Sequence, residues 1–187
     1  MITTLDFETT SIKDAKGRIC PEPYLGNKLV SAGWKEVPLN LEEWEVEDSY
    51  VCFYHLEQEP SENGFKLLQS ALDRTNLLIA HHAKFELQWL RSCGFKYDGP
   101  IFDTMVCEYI LARGEKKSFK LAECLKRRGL SEKRTDLTEQ YLKDGVGFEQ
   151  MPWPVVEEYG RGDVTSTWEL ALDQCKELEC DIERFAR

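Results

Sequence analysis

Four carboxylates and one tyrosine have the types and spacing to do chemistry: Asp6 and Glu8 in ITTLDFETT, Glu86 in AHHAKFELQWL, and Tyr159 with Asp163 in EEYGRGDVTSTWEL. Asp6 and Glu8 lie two apart in a β-rich segment, so on a strand both side chains leave the same face. Tyr159 and Asp163 lie four apart in a segment that reads as helical, again on one face. Grouped carboxylates repel one another unless a cation sits among them, and an all-oxygen donor set suits Mg²⁺ or Mn²⁺. The chemistry such a set serves is two-metal hydrolysis of a phosphodiester. That ester is already anionic, so hydroxide must be made at neutral pH and negative charge absorbed as it builds. Two cations about 3.5–4 Å apart can do both. A tyrosine hydroxyl, with a pKa of about 10, is there to donate and accept hydrogen bonds rather than to act as the base.

The elements that must position these residues follow an alternating pattern. ITTLDF, LVSAGW (29–34) and YVCFYHL (50–56) read as three strands, the first followed by a polar stretch to about Asn27. A helix over 64–74 carries Phe65, Leu68 and Leu72 at helical spacing. LLIA (77–80) has the fully apolar character of a strand buried on both faces. The next helix should stop at Gly94, IF (101–102) should form a fifth strand, and Asp103 should cap a helix reaching about Ala112. Pro152 and Pro154 announce a last helix running to about Phe185, with a questionable patch at Gly160 and Gly162. Two glycines inside a helix cost about 1 kcal/mol each relative to alanine, so Gly-Arg-Gly before Asp163 argues for close approach of something to the backbone. Strands first, then strand–helix units, predict an α/β fold with a mixed five-stranded sheet flanked by helices, residues 1–187 forming one domain.

Composition bounds the class. A chain of 187 residues with 42% hydrophobic and 31% charged residues is that of a globular protein. No apolar run reaches bilayer length and no basic leader opens the chain, so no membrane partner and a cytoplasmic setting are expected. Seven scattered cysteines without a CxxC pair argue against a disulfide framework or a zinc site. The net charge of −10 speaks against nucleic acid at first sight. Residues 116–134, however, hold eight Lys or Arg against two Glu. Lys126, Arg127 and Arg128 are therefore candidates for gripping phosphates, with weak and salt-dependent binding expected. Equally, this segment reads as a solvated amphipathic helix with Leu121, Cys124 and Leu125 on its apolar face.

LDFETT, AHHAKFE and YGRGD, in that order and on those elements, resemble the three motifs of the DEDDy 3′→5′ exonucleases. The likeness is greatest to the proofreading domain of family A DNA polymerases, especially those of tailed phages, and it covers roughly residues 1–172. FELQWLRSCGF and IFDTMVCEYILARG add to it. The resemblance implies a ribonuclease H-like exonuclease fold and removal of nucleotides from a single-stranded DNA 3′ end with two divalent cations, Mg²⁺ or Mn²⁺. It implies a polymerase partner, fused or in trans, and the host cell cytoplasm if the chain is phage-encoded. Asp6, Glu8 and Asp163 would then hold one metal. Glu8 would also touch the 3′-hydroxyl, Glu86 would serve the second metal through its outer shell, and Tyr159 would orient the attacking water. Thr9 and His82 are candidate substrate contacts. Two positions depart from the pattern: Glu86 stands where the family most often has Asp, and His82 where it more usually has Asn. The sister subfamily replaces the tyrosine by a histidine five residues before the last aspartate, a position held here by Glu158. A ribonuclease D-like RNA exonuclease and a catalytically weakened 3′-end-binding module are the alternatives. Each residue also has a plainer reading: Asp6 and Glu8 as strand-end acids, Glu86 complementing a helix dipole, Tyr159 as a core aromatic. His81 is expected to be a satisfied structural histidine, and Asp103 a cap.

Overall fold

The computed structural model describes residues 1–39, 46–130 and 135–186 of the chain. In chain order its elements are β1 (Ile2–Thr9), a small hairpin of β2 (Ile12–Lys13) and β3 (Ile19–Cys20), β4 (Leu29–Val37), β5 (Glu47–Cys52) and α1 (Gly64–Asp73). These are followed by β6 (Leu77–Ala80), α2 (Ala83–Cys93), β7 (Ile101–Asp103), α3 (Thr104–Leu111), α4 (Leu121–Arg128), α5 (Glu139–Lys143) and α6 (Trp153–Glu177). The main sheet has the order β5-β4-β1-β6-β7. β1 pairs antiparallel with β4 and parallel with β6, β4 pairs antiparallel with β5, and β6 pairs parallel with β7.

β1 is central because Ile2, Thr3, Thr4 and Leu5 can be buried on both sides of a pleat, and β-branched side chains pack well there. Strand alternation divides it. Leu5 and Phe7 join Leu68, Leu72, Trp89 and Leu90 in the core under α1 and α2. Ile2, on the opposite parity, joins Leu77, Ile79, Phe102, Trp168 and Ala171 in the core under α3 and α6. Asp6 and Glu8 continue that second parity toward the end of the strand, so the face carrying them is the one on which α6 packs.

Most expected elements are present, with changes at their ends. β5 finishes at Cys52 instead of 56, because Phe53 and Tyr54 both donate to Val30 O in a bend that leaves the ladder. The polar stretch before Asn27 contains the β2–β3 hairpin. α6 is continuous through Gly160 and Gly162 and ends at Glu177, with a separate short 3₁₀ turn at Ile182–Phe185. The basic helix spans 121–128 only, with Leu121, Cys124 and Leu125 buried as the amphipathic reading requires. Residues 131–134 of the basic segment lie outside the described residues. All seven cysteines are free.

Candidate metal centre

The end of β1 and the middle of α6 bring the acids together. Asp6, Glu8 and Asp163 each offer a carboxylate oxygen within 4.8 Å of the others. Glu8 and Asp163 are 7% and 5% exposed, and Asp6 is half-buried. Three carboxylates this close, two of them buried, repel one another without a cation, and their oxygen-only donors match the preference of Mg²⁺ or Mn²⁺. Tyr159, one turn before Asp163, hydrogen-bonds the Asp163 side chain. Burial, then the charges of Glu8, Asp163 and Asp6, push its hydroxyl far above the ordinary tyrosine range. Its ring lies against Phe148 at 5.6 Å between centroids.

Glu86 stands outside the trio but beside it. It occupies the first turn of α2, is 2% exposed, and its Oε2 has no hydrogen-bond partner among the described residues. Burial first, then the charge of Asp6, raise its carboxyl well above the ordinary glutamate range. A buried carboxylate oxygen that faces other acids and meets no donor is suited to a cation.

Asp103 explains how Glu86 is aimed. Its side chain caps α3 by accepting from the Met105 and Val106 N–H groups at 2.9 and 3.2 Å. It also accepts from the N–H groups of His82 and Ala83 at 3.1 and 2.9 Å, and so holds the start of α2 as well. One carboxylate thus fixes two helix starts at the carboxyl ends of β6 and β7. Between them His82 takes a left-handed backbone with φ 72°, leaving its ring exposed. His81 is structural as expected, with Nδ1 2.9 Å from Thr104 Oγ1 and Nε2 donating to Phe119 O at 2.9 Å.

Two concavities meet at the acids. The larger, about 610 Å³, adds His82, Phe85, Glu86, Met105, Phe119 and Lys120 to Asp6 and Asp163. The smaller, about 340 Å³, adds Glu8, Thr9, Phe85, Phe148 and Tyr159. Thr9 and His82 therefore both line the cleft, on different sides of the acids.

Arg127 and Arg128 are not brought to the acids. Arg127 donates to Ser118 O at 2.7 Å and Glu108 Oε1 at 3.1 Å. Arg128 bonds Glu108, Asp173 and Glu177 at 2.8 to 2.9 Å, with its own side chain 12% exposed. With Arg128 shared among three carboxylates and Arg127 between Glu108 and a backbone carbonyl, these guanidiniums have little left for a phosphate. They line a separate hollow with Lys117 and Glu108, while Lys126 is exposed on α4.

Tyr50 is a residue that the motifs do not flag. Its hydroxyl pairs with Ser31 Oγ at 2.7 Å, and Ser31 is the β4 partner of Glu8. The same hydroxyl donates to Val156 O at 3.1 Å, tying α6 to the sheet. Its ring lies so close to the helix that a Cβ on Gly160 would sit 2.6 Å from Tyr50 Cε2, and one on Gly33 2.8 Å from Tyr50 Cδ2. The close approach expected near Gly160 is this ring, whereas a Cβ on Gly162 would meet nothing within 4 Å.

Comparison with known proteins agrees with this picture. No known family model matches the sequence. The chain is 32% identical to a stretch of the DNA polymerase of Bacillus phage SP01, across 65% of this chain and 14% of that one, so it spans about a seventh of the curated relative it matches. Among solved structures it resembles a nuclease in its apo form, with a TM-score of 0.62 at 17% identity over 99% of this chain and 77% of that one. It also resembles Brucella melitensis NrnC with bound Mg²⁺, with a TM-score of 0.53 at 17% identity over 95% and 73%. The chain thus has the ribonuclease H-like exonuclease fold, and its sequence is similar to that of a phage DNA polymerase, as the motif resemblance implies. Among the described residues, no helix is long and apolar enough to cross a membrane.

Proposed function

We propose that this protein is a metal-dependent 3′→5′ exonuclease that releases nucleoside monophosphates from DNA 3′ ends, in proofreading for a family A DNA polymerase to which it is fused or joined in trans. The observation that carries this is the convergence of Asp6, Glu8 and Asp163 within 4.8 Å, with buried Glu86 and Tyr159 alongside. In this reading Asp6, Glu8 and Asp163 would hold one Mg²⁺ or Mn²⁺ ion and Glu86 would serve a second through its outer shell, a role that oxygen-only donors suit. Such ions, when bound, acidify a water and absorb charge on the leaving oxygen.

The chain's own groups supply position. Burial and the neighbouring acids push the Tyr159 hydroxyl above the ordinary tyrosine range, which favours orienting a water by hydrogen bonding over taking its proton. Glu8, facing the smaller lobe, accepts from the terminal 3′-hydroxyl, and Thr9 flanks the same nucleotide. His82, with a positive φ and an exposed ring, offers a single donor to a sugar or phosphate on the other side.

The test is a 5′-labelled single strand incubated with Mg²⁺ or Mn²⁺. A ladder of shortened products is expected on DNA, with none in chelator and none from an Asp6→Ala, Glu8→Ala double variant. A ladder on RNA alone would replace this reading by the ribonuclease D-like one. Folded protein that binds 3′ ends but makes no ladder with either metal would reduce it to a binding module.

A further inference from the structure

The larger lobe of the cleft is walled in a way the acids do not require. Phe85, Met105, Phe119 and Leu121 give it an apolar side, and Lys120 is among its lining residues. Phe119 is half-buried, and beside it Tyr109 is 64% exposed, their rings edge-on with centroids 5.6 Å apart. Val106 and Ile110 are exposed on the same helix, so α3 presents solvent with an apolar strip that meets the cleft at Met105 and Phe119. The support under Phe119 is fixed: its carbonyl accepts from His81, and Leu121, two residues on, is buried in the contact of α4 with α6.

A strand running from the acids has two ways to go. The smaller lobe, about 340 Å³ and lined by Glu8, Thr9 and Tyr159, suits the single nucleoside that leaves. The rest of the strand must then depart through the larger lobe, past Phe119 and Lys120. Bases removed from a helix present bare π faces, and aromatic rings beside a cation are the sequence-tolerant way of holding them. An acidic protein of net charge −10 gains more from such stacking than from phosphate contacts alone.

We propose that Phe119, backed by Tyr109, is a stacking platform for the unpaired base on the 5′ side of the scissile phosphate, with Lys120 on that nucleotide's backbone. This rests on the exonuclease reading for where the scissile phosphate lies.

The experiment measures binding of a short single-stranded DNA carrying 2-aminopurine at its penultimate position, in Ca²⁺ to hold off cleavage. Binding to the parent should quench the probe. Phe119→Ala should weaken binding roughly 5- to 100-fold and restore the fluorescence, while Phe119→Trp keeps both. A nucleoside monophosphate, which reaches only the terminal subsite, should bind the parent and Phe119→Ala alike. Lys120→Ala should lower the slope of log K against log salt by about 0.7. Because Tyr109 is exposed, Tyr109→Ala leaves the fold intact and should weaken strand binding several-fold, which decides the matter if Phe119→Ala does not fold. Strand binding and quenching that survive both alanines overturn the platform, and a ladder from the parent would leave the exonuclease reading standing. Conversely, a strand-binding loss in Phe119→Ala of a parent that cuts nothing keeps the platform and removes the catalytic reading.

Discussion

Tyr159 and Glu86 occupy the same cluster, yet their burial has opposite uses. Burial and nearby acids keep the Tyr159 proton in place, so removing its hydroxyl should cost orientation of the water, not a titrating group. Tyr159→Phe retains the ring against Phe148 and should lower kcat roughly a hundredfold with little change in melting temperature. A rate–pH profile on DNA should show no limb below pH 9 that disappears in this variant, and such a limb would identify the tyrosine as the base. The same forces raise the Glu86 carboxyl well above the ordinary glutamate range, and a bound cation would act in the opposite direction. Glu86→Asp is expected to keep activity and shift the metal optimum, whereas Glu86→Ala should lose several powers of ten. Parent-like turnover by Glu86→Ala would leave this residue as a helix-start acid. His82→Asn should be accepted by the backbone, since asparagine tolerates φ 72°, and should lower KM for the DNA strand.

The position of α6 against the sheet sets the distance between Asp163 and the β1 acids, and Tyr50 is the wedge that defines it. Alanine at a helical glycine normally adds about 1 kcal/mol of stability. Gly162→Ala should show that gain, because its Cβ enters open space. Gly160→Ala should instead lose about 1–3 kcal/mol, because its Cβ would collide with the Tyr50 ring. Thermal unfolding of the two variants separates them by sign. Tyr50→Leu in the Gly160→Ala background should recover part of the loss, and two gains of equal size would show that the ring yields freely. Activity of Gly160→Ala, measured where it is fully folded, should also fall as Asp163 moves from Asp6 and Glu8.

Charge over the whole molecule is arranged for internal cohesion as much as for substrate. Arg128 joins α3, α4 and α6 through Glu108, Asp173 and Glu177. Arg128→Ala should therefore destabilise the protein by roughly 3 kcal/mol, because it leaves a buried carboxylate short of its partner. The salt slope of strand binding should change little, the reverse of what a phosphate-gripping arginine would show. Burial alone would raise the Glu108 carboxyl, but hydrogen bonds from Gln174, Arg127 and Arg128 outweigh it and hold the pKa below the ordinary value. Its contribution is thus present above the ordinary glutamate range and is lost as pH falls through the lowered value. Melting temperature followed from pH 7 down to pH 3 should drop less steeply in Glu108→Gln than in the parent. Parallel curves would mean that the network carries no pH-linked stability.

The sequence by itself determined what depends on short-range spacing. Two acids on alternate strand positions share a face, a tyrosine and an aspartate one turn apart share another, and Asp103 before an apolar run caps a helix. A short apolar run likewise marked β6, helical spacing of Leu121, Cys124 and Leu125 gave the face of α4, and a glycine stop signal placed the end of α2 at Gly94. Tertiary structure alone decided which distant groups met. The Gly160 gap signalled that something approaches α6, but only the β4–β5 pairing shows that it is Tyr50. Arg127 and Arg128 read as free cations in a basic run, yet their carboxylates come from other helices, up to 49 residues away along the chain. Asp103 reaches back to the start of α2 because β6 and β7 run side by side. The physical reason is the same in each case. Local pattern dictates which way a side chain points, whereas the partner it finds is set by long-range packing of elements whose sequences carry no mark of one another.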